Sequence, residues 1–151
     1  MVTRKLGAVW LLLLLIVCGG EPTSPPTEIV TKEGLRFRAA AFRGDDDIGV
    51  VTELLNTSGA NRHLAYGGCA GFSIRLYRSG SIVRDSYSDS DACDTWGASA
   101  TISPQGVFVY RDSLFIDASL SPGRYNVVMV FKGDIDGARS NVAVAAGAVD
   151  L

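Results

Sequence analysis

Leu120-Ser121-Pro122-Gly123-Arg124-Tyr125-Asn126-Val127-Val128-Met129-Val130-Phe131 is the stretch that decides the fold class. Pro122 and Gly123 stand where a type II turn takes proline and glycine. Tyr125, Val127, Met129 and Phe131 then alternate with Asn126, Val128 and Val130, so a strand follows that is apolar on nearly every side and dry on both faces. Such a strand needs neighbours along both edges and a second layer above it.

The rest of the chain supplies them as short β-rich runs. Leu35, Phe37 and Ala39 alternate with Arg36, Arg38 and Ala40 until Gly44 and the acidic triplet Asp45-Asp46-Asp47 end the run. Ile48 to Leu55 follows, with Val50, Thr52 and Leu54 on one face and Glu53 on the other, stopped by Asn56-Thr57-Ser58-Gly59. A short strand at His63 to Tyr66 breaks at Gly67-Gly68. Phe72, Ile74 and Leu76 then alternate with Ser73, Arg75 and Tyr77, and Ser79-Gly80 folds the chain into Ser81 to Arg84 as a hairpin. Strands at Ser99 to Ile102, Val107 to Ile116 and Asn141 to Val149 complete the set, with Pro104-Gln105-Gly106 as a turn and Gly133 to Ser140 as a polar loop. No window repeats apolar residues at helical spacing over three turns. About eight short strands punctuated by turns predict an all-β, immunoglobulin-like antiparallel sandwich.

Four of these segments, Val50 to Ser58, Phe72 to Val83, Ile102 to Gly106 and Leu120 to Val130, resemble in order the motifs of the BsuPI-type intracellular proteinase inhibitor domain. That family has a strand ending in Asn-x-Ser, a hairpin around a glycine and a Pro-Gly-x-Tyr turn feeding a hydrophobic strand. The resemblance spans about Leu35 to Phe131 and implies an Ig-like sandwich, with protease inhibition as an activity. The chain departs from the family in its export signal, its cysteine pair and Pro104-Gln105-Gly106 where a Pro-Gly pair is expected. No inhibitory loop transfers residue by residue.

Residues 1–17 read as a signal: Arg4 and Lys5 precede an uncharged run from Leu6 to Val17. That run is shorter than the roughly 20 apolar residues a membrane span takes. Leu15-Ile16-Val17-Cys18 resembles a bacterial lipobox, although Val17 occupies the place usually held by Gly, Ala or Ser. Cys18 is the expected lipidation site, and residues 18–33, with Pro22, Pro25 and Pro26, the tether ahead of a sandwich at 34–151. Cleavage after Gly20 by the general signal peptidase is the alternative. Either cut exports the domain. The chain has three cysteines, and Cys69 pairing with Cys93 leaves Cys18 for the lipid. Closing a loop of about 25 residues contributes roughly 3–4 kcal/mol in the chain-entropy account. The competing reading of a catalytic or metal-binding thiol pair finds no Cys-x-x-Cys spacing and no histidine cluster.

The 151 residues are 47% hydrophobic and 20% charged, as in one globular domain plus a leader. The formal charge of −2 becomes −4 once Arg4 and Lys5 are removed, which argues against nucleic acid and against attachment to anionic lipid by a basic patch. His63 is the only histidine, so nucleophilic catalysis has one candidate base, and no hydrolase, Walker or dinucleotide motif accompanies it. Asp89, Asp91 and Asp94 have the composition of a calcium loop but miss its register, because Cys93 takes a carboxylate position. Asp45, Asp46 and Asp47 read as a solvated turn. A glycosidase built on turn carboxylates has Glu53 as its one clear mid-strand acid. Tyr77, Tyr87, Trp96 and Tyr110 could stack on a ligand or finish sheet faces, with Trp96 packing over the disulfide. The expectation is a non-enzymatic envelope module with no cofactor or metal, held to the membrane through acylated Cys18 and binding a protein partner by strand edges or loops. A hydrolase using loop carboxylates and a calcium-stabilised adhesion module are the alternatives.

Overall fold

The computed structural model describes residues 29–67, 71–87 and 97–151. Ten strands lie within them: β1 (Ile29–Lys32), β2 (Leu35–Arg43), β3 (Asp47–Asn56), β4 (Arg62–Gly67), β5 (Phe72–Arg78), β6 (Ser81–Asp85), β7 (Gly97–Ile102), β8 (Val107–Phe115), β9 (Arg124–Ile135) and β10 (Ala138–Asp150). They form two antiparallel sheets. The first has the order β1-β2-β3-β8. In the second, β10 runs the whole length of β9, while β5 pairs with residues 126–131 and β4 with residues 133–135 of β9. β4 and β5 therefore lie end to end as one line of chain interrupted after Gly67, where the sequence places a break. β7 flanks β4 and β6 flanks β5, so this sheet too is four lines wide.

In chain order β2, β3, β4 with β5, β6 with β7, β8, β9 and β10 take the places of strands A, B, C, C′, E, F and G of an immunoglobulin-type sandwich. Among the described residues no strand D follows β8, and β1 is added outside A. A second hallmark stands at the start of β9. The Tyr125 hydroxyl donates to the Ser121 carbonyl at 2.6 Å, the tyrosine corner of such sandwiches. Arg78 clamps it from β5, donating to the Tyr125 hydroxyl (3.3 Å), the Ser121 hydroxyl (3.1 Å) and the Pro122 carbonyl (3.2 Å). Its guanidinium lies 5.4 Å from the Tyr125 ring centroid.

The alternation read from the sequence holds in the core. Leu35, Phe37, Ala39, Val50, Thr52, Leu54, Ile74, Leu76, Val127, Met129 and Phe131 are buried, and Glu53 is exposed. Aromatic rings fill the space between the sheets: Phe72 stacks on Tyr110 at 4.1 Å, meets Phe131 at 5.0 Å and takes the edge of Tyr66 at 5.2 Å. Asn56, fully buried, locks the end of β3. Its amide nitrogen donates to the Ala60 and Ile102 carbonyls (2.7 and 2.8 Å), and its amide oxygen accepts from the Ser58 backbone and hydroxyl (2.9 and 2.6 Å). The Asn-x-Ser ending of the strand is thus a buried polar knot, with all of its short-range bonds made.

Three local expectations change. Ile29–Lys32, at the end of the expected tether, pairs with β2 through Glu33 and Gly34, whose φ values of 49° and 72° make a type I′ turn. The expected polar loop at Gly133–Ser140 is the tip of the longest hairpin. Asp136 and Gly137 (φ 51° and 80°) form the same kind of turn, and both strands continue to it. Gly133, which reads as a loop residue, sits in β9 because a Cβ there would lie 2.6 Å from the Ala65 carbonyl oxygen. Gly123 has φ 146° rather than a type II value. It exchanges backbone hydrogen bonds with Leu151 at 2.9 Å in each direction, extending the β9–β10 ladder.

Candidate functional site

Cys18, Cys69 and Cys93 lie outside the described residues, as do Asp89, Asp91, Asp94 and Trp96. The other residues singled out in the sequence do not converge. The His63 ring meets the Thr101 hydroxyl at 3.0 Å. The nearest bonded carboxylate, Asp136, accepts from the His63 backbone N–H (2.8 Å) and from Arg62 (2.6 Å), and these two bonds hold its pKa below the usual carboxylate range. Asp136 thus closes a turn and does not orient the imidazole. Asp45 and Asp46 are exposed at the β2–β3 turn, whose carbonyls wrap the Arg43 guanidinium. Among the described residues no three His, Cys, Asp or Glu side chains are grouped so as to hold a metal ion.

Tyr110 and Asp112 point to a different feature. Both lie on β8 opposite Thr52 and Val50 of β3, in a seam between the sheets that Phe72, Ile74 and Met129 complete. The Thr52 hydroxyl oxygen is buried there without a hydrogen-bond partner. Burial pushes the Asp112 carboxyl above its usual range. The Tyr110 hydroxyl is pushed up to about 12, by burial first and then by Asp112 and Tyr66. Asp112 is half-buried and on the core-side register of an edge strand, which is one of the devices by which native edges discourage pairing with another chain.

The outward face of the first sheet is the most distinctive surface. Its cross-strand rows are Arg36–Leu55–Val107, Arg38–Glu53–Val109, Ala40–Val51–Arg111 and Phe42–Gly49–Ser113, with Thr31 and Ile29 of β1 beside Arg36 and Arg38. Val107 is 57% exposed, Val109 39% and Ile29 58%, and Phe115 at the end of β8 is 63% exposed. Two shallow hollows open side by side on this face. One is lined by Arg38, Ala40, Val51 and Glu53, the other by Arg36, Arg38, Glu53, Leu55 and Val107. Phe42 packs over Gly49, where a Cβ would stand 2.2 Å from the ring, in the next row of the same face.

The arginines of this face differ from the rest. Arg62, Arg75, Arg84, Arg124 and Arg139 each pair with an aspartate, Arg78 holds the tyrosine corner and Arg43 holds turn carbonyls. Arg36, Arg38 and Arg111 make no hydrogen bond or ion pair among the described residues, although Glu53 shares a row with Arg38. All three are exposed and on one face. The Arg36-x-Arg38 alternation is visible in the sequence. That Arg111 joins them follows only from β8 pairing with β3, a neighbour distant in the chain.

No family model matches the chain, and no curated protein matches it. Among solved structures it is similar to a yeast GGA1 GAE domain, at 15% identity and a TM-score of 0.31, over 82% of this chain and 96% of that one. The fold assignment stands on the strand order and the tyrosine corner: a two-sheet antiparallel sandwich of the immunoglobulin type, an architecture suited to a binding or structural module.

Proposed function

We propose that this chain is an exported, lipid-anchored, non-enzymatic module of the bacterial cell envelope that binds a protein partner through the outer face of its first sheet. The observation that carries the binding reading is that face: exposed Ile29, Val107, Val109 and Phe115 together with three arginines that have no partner among the described residues. Exposed apolar side chains gathered on one face of a sheet are a mark of an interaction surface. The address rests on the leader, the lipobox-like Leu15-Ile16-Val17-Cys18 and the proline-rich stretch behind it. Two acyl chains on Cys18 would anchor stably where one would not. The stretch from Cys18 to Ile29 reaches up to roughly 40 Å when extended, enough to hold the sandwich clear of the headgroups.

Mass spectrometry of the mature protein tests the address. A diacylated Cys18 N-terminus is expected, and an unmodified N-terminus at Glu21 would remove the anchor. The same spectrum, taken without reductant, reads the Cys69–Cys93 bridge as a loss of two hydrogens, roughly 2 Da, relative to the free thiols. Protease inhibition, implied by the family resemblance, is tested by stoichiometric addition to a panel of serine proteases; unchanged activity throughout would remove it.

A further inference from the structure

We infer that the outer face of the β1-β2-β3-β8 sheet binds an acidic polypeptide segment, with a carboxylate seated above Ala40 and Val51 between Arg38 and Arg111. The inference deepens the reading of the chain as a binding module and does not depend on the lipid anchor. Its basis is an imbalance in how arginines are used. Each of the others described is held by a carboxylate, hydroxyl or carbonyl of this chain, while Arg36, Arg38 and Arg111 have no such acceptor among the described residues and share one face. A guanidinium offers a planar fork of donors that fits a carboxylate.

The geometry fits one anion at a defined place. Ala40 and Val51 are the short side chains of their row, so the sheet surface dips there, with Arg38 two residues back along β2 and Arg111 across Val51 on β8. At about 4.8 Å between strands and 3.4 Å per residue, the Arg38 and Arg111 backbones are about 12 Å apart, so two extended side chains converge above Val51. Arg36 lies farther along the same strand beside the second hollow, placed for a second carboxylate of the same segment. Leu55 and Val107 line that hollow, with Val109 in the next row of β8, and suit apolar residues alternating with the acids.

The charge pattern favours a polypeptide over an anionic bilayer. Glu53 sits in the middle of the face, and the mature chain carries a formal charge of −4, so a uniformly negative surface repels it at a distance. Glu53 lines both hollows, and a segment with discrete acids can set them toward Arg111 in one and Arg36 in the other, on the sides away from Glu53.

The test is an NMR titration of the isotopically labelled mature protein with a short synthetic peptide alternating aspartate with valine. A lysine–valine peptide and phosphatidylglycerol vesicles serve as comparison probes. The expected result is that the amides of Arg38, Ala40, Val51 and Arg111 shift with the acidic peptide, and that the shifts fade as salt rises. Arg38→Gln and Arg111→Gln should each weaken binding by about two- to fivefold while leaving the remaining spectrum in place. No shift with the acidic peptide overturns the inference. So does an equal response to the lysine peptide, or vesicle binding without a peptide response. Shifts confined to Ile82, Val83 and Tyr87 also overturn it, but leave the binding-module reading standing on another surface.

Discussion

Replacing Asn56 by alanine should remove the polar knot that joins the end of β3 to the end of β7. The side chain is fully buried and makes four hydrogen bonds, two donated and two accepted. The Ile102 residue is 3% exposed, so its carbonyl loses one partner without gaining water, at about 1–3 kcal/mol. Ala60 and Ser58 lie at the surface and rehydrate, at about 0.5–1 kcal/mol for each lost bond. The sum is about 2.5–6 kcal/mol, a large share of the roughly 5–15 kcal/mol that holds a domain folded. Urea denaturation should show the midpoint fall with an unchanged slope, and thermal melting a drop of at least about 10 °C at about 4–8 °C per kcal/mol. Asn56→Asp sharpens the test, because its carboxylate faces two carbonyl oxygens that the amide had satisfied. Its pKa is raised in the folded state, so the folded protein binds the extra proton, and stability falls as pH rises from about 4 through the folded pKa. A loss below about 1 kcal/mol for Asn56→Ala, or an Asn56→Asp variant that gains stability as pH rises, would refute this reasoning.

Three further outcomes follow from the same geometry. Tyr125→Phe should cost about 1–2 kcal/mol in urea denaturation, because it deletes the bond to Ser121 and one acceptor of Arg78. Gly137→Ala should cost about 1–2 kcal/mol from backbone strain alone, since φ is 80° and no atom lies within 4 Å of the added methyl; no loss on melting would contradict the turn assignment. Asp112→Asn should stabilise the protein at neutral pH, because a carboxyl whose folded pKa is raised by burial contributes stability below its unfolded pKa and loses it as pH rises through the folded value. The same variant should aggregate faster by light scattering, having lost the inward charge of an edge strand, and equal aggregation would remove that role.

Much of the sandwich was legible because its signals are local. The two-residue alternation of Leu35 to Ala40, Ile48 to Leu55 and Tyr125 to Phe131 fixes which side chains face the core, and Ser79-Gly80 fixes a hairpin within a few residues. What misled was composition. Asp136-Gly137 is as strong a hairpin signal as Ser79-Gly80, yet it is embedded among glycine, aspartate and serine and reads as a loop. Gly133 adds to that impression, though its smallness answers the close approach of Ala65. β1 was hidden for the opposite reason: four residues with no apolar period become a strand only because β2 offers them a free edge.

The arginine face was half visible. Arg36 and Arg38 alternate with core residues in plain view, but that no described residue pairs with them is a property of the whole surface. Arg111 stands more than seventy residues away in sequence and reaches the same face only through the β3–β8 pairing. Strand order of this kind, set by which sheet buries which apolar face, is not written in any local pattern.

The most direct measurement of the binding claim is site-specific photo-cross-linking in the intact envelope, with the reactive side chain placed at Ala40 in the hollow and, for comparison, at Ile82 on the exposed edge of β6. The expected result is an adduct from position 40 whose mapped partner peptide carries acidic residues at the cross-link, weakened by Arg38→Gln. Absence of an adduct at position 40 while one forms at position 82, or an adduct at position 40 to a basic segment, would contradict it.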